Sequence, residues 1–365
     1  MTRLSKAPAR YGVSYVGSKN KIAAEVVYNI PSAPLLIDVF AGGGAITHAA
    51  LLSHRFGSIL ANDYDCGALQ LFYRASHGLI DFEEERKRWV SREDFKRLKD
   101  TDPIVRYHWS FSNGGRNYLY SKEIEPYKRA YHFARNCNDR TEWNAIGFEK
   151  FEPTRLSIRD HAEEIKDIYI RWWLKHNCYE GDSEALKLRI SLENLQSLPS
   201  LQSLQRLQSL QRLERLLGLE CLERLQSLQS LQSLQSLQSL TISKADYKDI
   251  FVSEPTTVIY CDPPYINTSG YEDAIQESGF NHAEFYDWCE AQKGLVVLSE
   301  YTAPADRFTC VWSKEKRVLA GGAKYQITKV ERLFVVKGHE DDYWDLMAAH
   351  KPSTLFDQDQ RQAMI

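Results

Sequence analysis

Four short apolar runs that each end in polar residues or glycine constrain the fold of this chain more than any other feature. They are LLIDVF, SILAN, TTVIYC and GLVVLSE, and each has the length and composition of a buried strand. A glycine turn and the helical pattern AITHAALL follow the first run. The alternation of strand and helix patterns predicts an α/β fold whose polar residues gather at the strand ends.

Composition excludes several classes of protein. The chain has 365 residues and a net charge of -3, so any nucleic-acid surface must be local. Seven cysteines occur without a CxxC pair or a His/Cys cluster, which indicates reduced thiols and no metal site. The start, MTRLSKAPARYG, lacks the apolar core of a signal peptide, and no run is long enough to span a bilayer. We therefore expect a soluble, cytoplasmic protein without a membrane partner.

The segment CDPPY ends the third apolar run with an acid, a rigid corner and an aromatic ring. An exocyclic amine on a purine is a poor nucleophile because its lone pair is delocalised into the ring. Asp262 could accept one N–H of such an amine, and Pro264 helps to fix the backbone so that the carbonyl of Pro263 accepts the other. Tyr265 offers a face on which the base stacks. An ordinary turn at a strand end is the alternative interpretation.

The first apolar run carries Asp38 and leads into a glycine loop, Phe40, Ala41, Gly42, Gly43 and Gly44. Glycines let the backbone approach a ligand closely, and the following helix directs its N-terminus at that ligand. The loop is not GxGxxG, so a dinucleotide is not favoured. Asp63, after the second run, lies where an acid would hold ribose hydroxyls, although a helix N-cap is the more common role.

Leucine occupies every third position from Leu192 to Leu240, mostly with Gln-Ser between. A period of three fits a structure whose turn holds a whole number of triplets, so a thin β-solenoid is the favoured interpretation, with a helix as the alternative. Pro199 weakens the long-helix alternative. Functionally, the repeat is either a tolerated expansion that extends outward from the fold or an arm that touches nucleic acid or a partner chain.

Between residues 89 and 179 the chain is rich in Trp, Tyr, Arg, Lys and Asn, which predicts a separate recognition region. In HWSFSNGGRNYLYSKEIEPYKRAYHFAR, basic residues would hold phosphates and Asn or Arg would reach base edges. A solvated surface over a buried aromatic core is the alternative. The candidate DNA contacts are Arg106, Asn113, Arg116, Asn117, Tyr118, Lys122, Lys128 and Arg129.

The order YVGSK, DVFAGGGA, ANDYD, ADY, CDPPY and LSEY resembles that of the Dam-type DNA adenine-N6 methyltransferases. The resemblance covers most of the chain outside the leucine repeat. It implies a mixed seven-stranded Rossmann-like sheet with helices on both faces, and S-adenosylmethionine as cofactor. It also implies that Tyr15, Gly17 and Lys19 contact the cofactor, that Asp38 and Phe40 to Gly44 surround its methionine part, and that Asp63 and Asp246 lie near its ribose and adenine. Asp262 to Tyr265 would form the catalytic clamp, with Asp262 also facing the cofactor.

The same resemblance sets the expected domains. Residues 1–88 and 241–345 would form the methyltransferase domain, closed by antiparallel strands in KYQITKVERLFVVKG, and 89–190 a mostly helical subdomain that recognises the DNA target. Residues 191–240 would be an insertion and 346–365 a tail.

We expect site-specific methyl transfer from S-adenosylmethionine to adenine N6 in double-stranded DNA. The alternatives are methylation of cytosine N4 or RNA adenine, and a catalytically idle DNA-binding protein. A cognate restriction endonuclease and the oligomeric state are left open.

Overall fold

A computed structural model of the protein describes residues 11–14, 18–65, 67–122, 124–153, 220–236, 239–264, 280–319 and 326–349. The chain divides into two compact units, one made of Met1–Leu79 with Ser230–Ile365 and the other of Ile80–Gln229. No helix among the described residues is long and apolar enough to cross a membrane.

The first unit is built on a seven-stranded sheet of order β3-β2-β1-β4-β5-β7-β6. Strands β1 to β5 pair in parallel, and β7 is antiparallel to both of its neighbours. This confirms the expected mixed seven-stranded sheet. The strands are β1 Ala33–Asp38, β2 Phe56–Asn62, β3 Leu240–Ser243, β4 Thr257–Cys261, β5 Leu295–Glu300, β6 Phe308–Leu319 and β7 Gln326–Val336.

The helices of the described residues are numbered in chain order. They are α1 Ala23–Tyr28, α2 Ala45–Ser53, α3 Gly67–Ser76, α4 Phe82–Lys87, α5 Arg92–Leu98, α6 Pro103–His108, α7 Glu125–Asn136, α8 Thr141–Ala145, α9 Glu220–Gln229, α10 His282–Ala291 and α11 Glu340–Ala348. Short 3₁₀ helices cover Phe111–Asn113, Ser230–Ser236 and Tyr247–Asp249.

Alternation along the strands gives the sheet two different faces. Ile37, Ile259 and Val296 belong to an apolar cluster that also contains Phe285 of α10. The neighbouring positions point the other way. Strand register therefore places Asp38, Tyr260, Ser299 and Glu331 on the opposite face, which carries the polar residues described below.

The segment KYQITKVERLFVVKG contributes one strand, β7, and not a pair. Its antiparallel partner is β6, which comes before it in the chain and pairs with it from Phe308↔Val336 to Leu319↔Gln326. The expectation of a strand pair within the segment is therefore wrong. One strand of 11 residues, β7, occupies most of the segment, and its hairpin partner β6 lies outside the segment.

The second unit has an aromatic core beneath short helices. Asp81, Ser91 and Asp102 are the N-cap residues of α4, α5 and α6. Their side-chain oxygens accept hydrogen bonds from N–H groups in the first turn of each helix. The buried core residues are Val90, Phe95, Val105, Trp109, Tyr118, Tyr120, Tyr127, Tyr131, Ala134, Trp143, Phe148 and Phe151. Aromatic side chains thus supply most of the apolar surface that these short helices bury.

The described end of the leucine repeat is helical. Glu220–Gln229 is the α-helix α9, and Ser230–Ser236 is a 3₁₀ helix. A 3₁₀ helix has three residues per turn, so leucines three apart form one straight stripe. The β-solenoid expectation is therefore wrong for these residues, and the rest of the insertion, 191–219, lies outside the described residues.

This end of the repeat also belongs to the core. Leu225 and Leu228 of α9 are buried in the second unit, where α9 packs on α4 and α6. Leu231 and Leu234 of the 3₁₀ helix are buried in the first unit against α3. An expansion that simply extends outward from the fold is the wrong interpretation here, since these four leucines are needed to cover apolar surface.

The leucine stripe predicts a measurable contribution to stability. Replacing Leu231 or Leu234 with Ala should lower the free energy of unfolding by about 3 kcal/mol, because each side chain is 2% exposed and would leave a cavity. Gln232→Ala, on the same 3₁₀ helix, should change it by less than about 0.5 kcal/mol. Urea unfolding followed by circular dichroism measures both. Equal effects of the leucine and glutamine substitutions would contradict the buried stripe.

Candidate functional site

Strand β1 lies where the order of the sheet reverses. It pairs with β2 on one side and with β4 on the other, and Asp38 is aligned with Tyr260. Beyond the strands, the N–H of Val39 still donates to the Tyr260 carbonyl at 3.0 Å. Crevices at such switch points, outside the carboxyl ends of parallel strands, are the usual ligand sites of α/β sheets. The glycine loop and the CDPPY corner therefore leave the sheet at the same edge.

The glycine loop requires backbone conformations that other residues rarely adopt. Gly42 and Gly44 have φ values of +52° and +70°. A Cβ on Gly44 would also lie 2.8 Å from the ring of Phe72. The Gly43 carbonyl accepts a hydrogen bond from the Val13 N–H at 2.7 Å, so the N-terminal segment holds the loop from outside. Glycine at these places permits both the turn and the close packing beneath it.

The end of β2 fixes the other side of the loop. Asp63 Oδ2 accepts a hydrogen bond from the Gly42 N–H at 2.7 Å. The Asn62 side chain donates to the carbonyls of Val39 and Ala245, both at 3.1 Å. Asn62 thus ties the ends of β1 and β2 to the segment that follows β3, and Asp63 gives the glycine loop a defined shape.

Asp38 is a buried carboxyl group with one unsatisfied oxygen. Thr47 donates to its Oδ2 at 2.7 Å, while Oδ1 has no partner among the described residues. Burial raises the pKa of Asp38 to about 7, against the opposing effect of the Thr47 hydrogen bond. A carboxyl group that titrates near neutrality can accept a cationic partner without a large cost of ionisation.

Lys19 lies between two carboxylates. Its ammonium is 2.8 Å from Asp262 Oδ1 and 3.1 Å from Glu331 Oε1, and all three side chains are less than a fifth exposed. Burial lowers the pKa of Lys19, but Asp262 and Glu331 outweigh it and the pKa is raised above its ordinary value. Ser299 donates to the same Glu331 oxygen at 3.3 Å. Lys19 is therefore a fixed cation that joins the N-terminal segment to β7 and to the CDPPY corner.

These groups surround one cleft of about 260 Å³, including its open mouth. The glycine loop and the CDPPY corner thus face a shared cavity. The lining residues are Ser18, Lys19, Asp38, Phe40, Ala41, Gly43, Ala45, Ile46 and Asp262.

The double-proline corner contacts the start of α10. His282, at the start of α10, lies 2.9 Å through Nε2 from the Pro264 carbonyl. The Pro263 carbonyl accepts no hydrogen bond from the described part of the chain. Tyr265, Tyr15 and Gly17 lie outside the described residues, so their expected roles remain predictions.

Asp246 has a local structural role. It precedes the 3₁₀ helix Tyr247–Asp249 and accepts a hydrogen bond from the Lys248 N–H at 3.1 Å. Tyr247 packs among Phe40, Phe280 and Phe285. The predicted contact of Asp246 with a cofactor remains a prediction.

The predicted DNA contacts divide into exposed and buried residues. Arg116, Asn117 and Lys122 are exposed, and Asn113 is half-buried. Arg106 packs against Gly115 and over the ring of Tyr107. Arg129 forms a two-pronged exposed pair with Glu142, at 2.6 and 3.0 Å.

Tyr118 and Lys128 belong to the interior of the second unit. The Tyr118 hydroxyl donates to the Val90 carbonyl at 2.7 Å. Lys128 is 1% exposed and its ammonium lies 5.3 Å from the centre of the Tyr120 ring. The sequence prediction missed the burial of Lys128 because a lysine among aromatic residues can pack on a ring as well as bind a phosphate, and the sequence pattern is the same in both cases. Because both side chains are buried, the prediction that Tyr118 and Lys128 contact DNA directly is wrong.

Sequence reasoning also missed Glu331 and Glu300. Each is an acid within an apolar strand, VERLFVV or LVVLSE, and that interruption is the signal that could have found them. Burial raises the pKa of Glu300 to about 8, and its Oε1 accepts the Tyr301 N–H at 2.8 Å. The described residues contain no group of three or more His, Cys, Asp or Glu side chains that could hold a metal ion.

Comparison with known families gives one finding. Residues 15–162 match the family model described as D12 class N6 adenine-specific DNA methyltransferase. No curated protein matches the chain. The matched residues include Lys19, the glycine loop and Asp63, and end before Asp262.

The Lys19 bridge should contribute to stability. Lys19→Met should lower the free energy of unfolding by about 3 kcal/mol, because it leaves two carboxylates buried without their cation. Lys314→Met removes an ion pair with Glu25 whose lysine is 42% exposed, and should cost less than about 1 kcal/mol. Chemical denaturation measures both. A Lys19 variant as stable as the Lys314 variant would show that the bridge is not needed for folding.

Asp38 should make stability depend on pH. The pKa of Asp38 is about 7 in the folded protein and 3.8 ordinarily, so the unfolded chain releases this proton at a lower pH than the folded protein does. The free energy of unfolding therefore falls as pH rises between these two values. Asp38→Asn should therefore be more stable than the wild type at pH 8, by up to about 4 kcal/mol, and similar to it at pH 4. The exposed control Asp306→Asn should follow the wild type. Melting temperatures across this range measure the effect, and parallel curves for Asp38→Asn and the wild type would contradict the raised pKa.

Proposed function

We infer from the D12 class N6 adenine-specific DNA methyltransferase domain at residues 15–162 that this chain methylates adenine N6 in DNA with S-adenosylmethionine as methyl donor. Beyond this, we propose which residues perform the reaction. The observation that supports the proposal is the single cleft lined by both the glycine loop and Asp262.

The chemistry of the groups that line the cleft suits a cofactor that carries an ammonium, a carboxylate and a sulfonium. Asp38 Oδ1 and Ser18 Oγ are buried, and neither has a partner in the described part of the chain. An orphaned carboxylate oxygen suits a ligand ammonium, and a hydroxyl suits a donor or an acceptor. Phe40 to Gly44 would surround the methionine part, and Asp63 would hold the ribose. When bound there, S-adenosylmethionine supplies a methyl group activated by its positively charged sulfur.

Asp262 and Pro263 would hold the target amine. The Asp262 carboxylate accepts one N–H and the Pro263 carbonyl accepts the other, which draws the nitrogen toward tetrahedral geometry and frees its lone pair for attack on the methyl carbon. Tyr265 would stack on the adenine. The base must leave the duplex to reach this corner, because its amine is otherwise paired inside the helix.

Lys19 would act as a positioning residue in this chemistry. Its ammonium at 2.8 Å favours the ionised form of Asp262, which is the form that accepts hydrogen bonds only. A carboxylate so paired is a weak base, and it is suited to orienting the amine more than to removing a proton before attack. Glu331 holds Lys19 from the opposite side and so fixes the direction of the pair.

The second unit would recognise the DNA target. Its exposed candidates are Arg116, Asn117, Lys122 and Arg129, and its less exposed candidates are Asn113 and Arg106. Arg129 would exchange Glu142 for a phosphate. Asn and Arg provide the paired donors and acceptors that distinguish base edges, and Lys neutralises phosphate.

Several finer assignments complete the proposal. The substrate is double-stranded DNA methylated at a defined sequence, and the enzyme acts in the cytoplasm on cellular DNA. A restriction endonuclease with the same target is proposed as a functional partner. Mass spectrometry of digested DNA separates N6-methyladenine from N4-methylcytosine, and an RNA substrate assayed in parallel tests the remaining alternative.

Asp262 is the residue whose loss should abolish catalysis. Asp262→Asn keeps the shape but exchanges one acceptor oxygen for an NH2 donor, and the Lys19 ammonium draws the remaining oxygen to itself, so methyl transfer should fall by about 1000-fold. DNA affinity should stay within about threefold of the wild type, because the recognition residues are unchanged. Radiolabelled methyl transfer and fluorescence anisotropy measure the two quantities.

The exposed Asp306→Asn serves as the matched control and should keep full activity. An Asp262→Asn protein that still transfers methyl groups at the wild-type rate would remove the clamp assignment. Loss of folding is checked by the melting temperature of each variant.

A further inference from the structure

The end of the leucine repeat contacts the segment that displays the candidate DNA-reading residues. Arg224 of α9 donates through Nη1 to the carbonyls of His108 and Ser110, both at 2.8 Å. These carbonyls lie at and just beyond the C-terminal end of α6, where helix carbonyls lack partners within the helix. A guanidinium satisfies both and is favoured there by the helix dipole.

Ser110 in turn organises the turn that follows. Its Oγ accepts a hydrogen bond from the Gly115 N–H at 3.0 Å, and its carbonyl accepts one from the Asn113 N–H at 3.3 Å. Ser110 also forms a bridge with Tyr118, and the Phe111 N–H donates to the Asn117 carbonyl at 2.8 Å. We name residues 110–118 the recognition turn. Its shape depends on where Ser110 is held.

The backbone of the recognition turn is strained enough to need such support. Asn113 and Gly115 have φ values of +55° and +69°. A Cβ on Gly115 would lie 2.9 Å from Cγ of Arg106. Glycine adopts this left-handed conformation freely, but at Asn113 the surroundings have to hold it.

The side chains that the turn displays are those best suited to contact DNA. Phe111 is 64% exposed, and Arg116 and Asn117 are also exposed. An anchored backbone presents these side chains at fixed distances from one another. Reading of base edges requires such fixed distances, because each contact must meet its donor or acceptor within a few tenths of an ångström.

We propose that Arg224 is a positioning residue for target recognition, through which the last part of the leucine repeat holds the recognition turn in its DNA-reading shape. The inference rests on the proposed role of the second unit in reading DNA. In this proposal the leucine repeat contributes to the choice of DNA target, whereas the clamp and the cofactor cleft carry out methyl transfer.

The test compares Arg224→Met with the wild type in the full-length protein. Methionine keeps an unbranched apolar stem and a good helix propensity but loses the two donated hydrogen bonds. Hydrogen exchange measured by mass spectrometry should show the peptide that covers residues 109–119 exchanging about tenfold faster. Gln226→Ala, an exposed change on the same helix, should exchange like the wild type.

The second measurement is sequence preference. DNA from cells that produce each protein is sequenced with detection of N6-methyladenine, and the preference of Arg224→Met for the wild-type target should fall about tenfold. The KM for S-adenosylmethionine and kcat at saturating DNA should be unchanged, which a general loss of stability would not produce. Arg224→Lys, which keeps a donor, should recover part of the preference.

Each outcome bears on a different claim. Wild-type exchange in Arg224→Met overturns the anchoring role, and faster exchange with an unchanged target preference overturns the link to recognition. A wild-type protein that leaves no N6-methyladenine in DNA defeats the proposed function instead, and hydrogen exchange still decides whether Arg224 holds the turn.

Discussion

The parallel register between β1 and β4 is the constraint on which the site depends. Asp38 is aligned with Tyr260, so the loop after β1 and the corner after β4 leave the sheet side by side. A slip of one residue in β4 would move Tyr260 to the other face and carry Asp262 with it. Ile259 packs in one apolar cluster with Ile37 and Val296, and it resists such a slip because the slip would move Ile259 to the polar face and put the polar Tyr260 in its place. The apolar core thus fixes the register between β1 and β4, and this register places Asp262 beside the glycine loop.

The polar face of the sheet carries more acids than a buried surface normally tolerates. Asp38, Asp262 and Glu331 lie near one another, Glu300 lies close by at the end of β5, and among the described residues the ammonium that lies between two of these acids is that of Lys19. Burial raises the pKa of Asp38 to about 7 and that of Glu300 to about 8, so Glu300 is mostly uncharged at neutral pH while Asp38 is near the midpoint of its titration. Asp262 and Glu331 flank the Lys19 ammonium, which favours the ionised form of both. Asp262 therefore lines the cleft as an acceptor that Lys19 holds in place.

Much of this site could be predicted from the sequence because its residues belong to local motifs at strand ends. The glycine loop after LLIDVF and the acid after TTVIYC can each be recognised from a few consecutive residues, and parallel strands bring their carboxyl ends together at one edge of the sheet. Glu331 could not be assigned in this way, because its partner Lys19 is more than 300 residues away in the chain and the two meet only through the sheet. Lys128 shows the converse error. Its sequence neighbours are typical of a nucleic-acid surface, but the helix face on which it lies is turned toward Tyr120.

The leucine repeat poses a problem that its composition cannot solve. From Gln226 to Leu240 the triplet Gln-Ser-Leu recurs without variation, so a shift of three residues exchanges each leucine for a leucine. Packing alone therefore cannot select one register among several of nearly equal energy. Arg224 breaks the equivalence, because it lies outside the Gln-Ser-Leu triplets and its side chain donates to the two carbonyls at the end of α6. At the other end, Thr241, Ile242 and Ser243 follow the last triplet and pair with β2 in the sheet, which fixes the place of Leu240. Residues that do not repeat therefore fix the register at each end of this stretch, Arg224 in the second unit and the strand residues after Leu240 in the first.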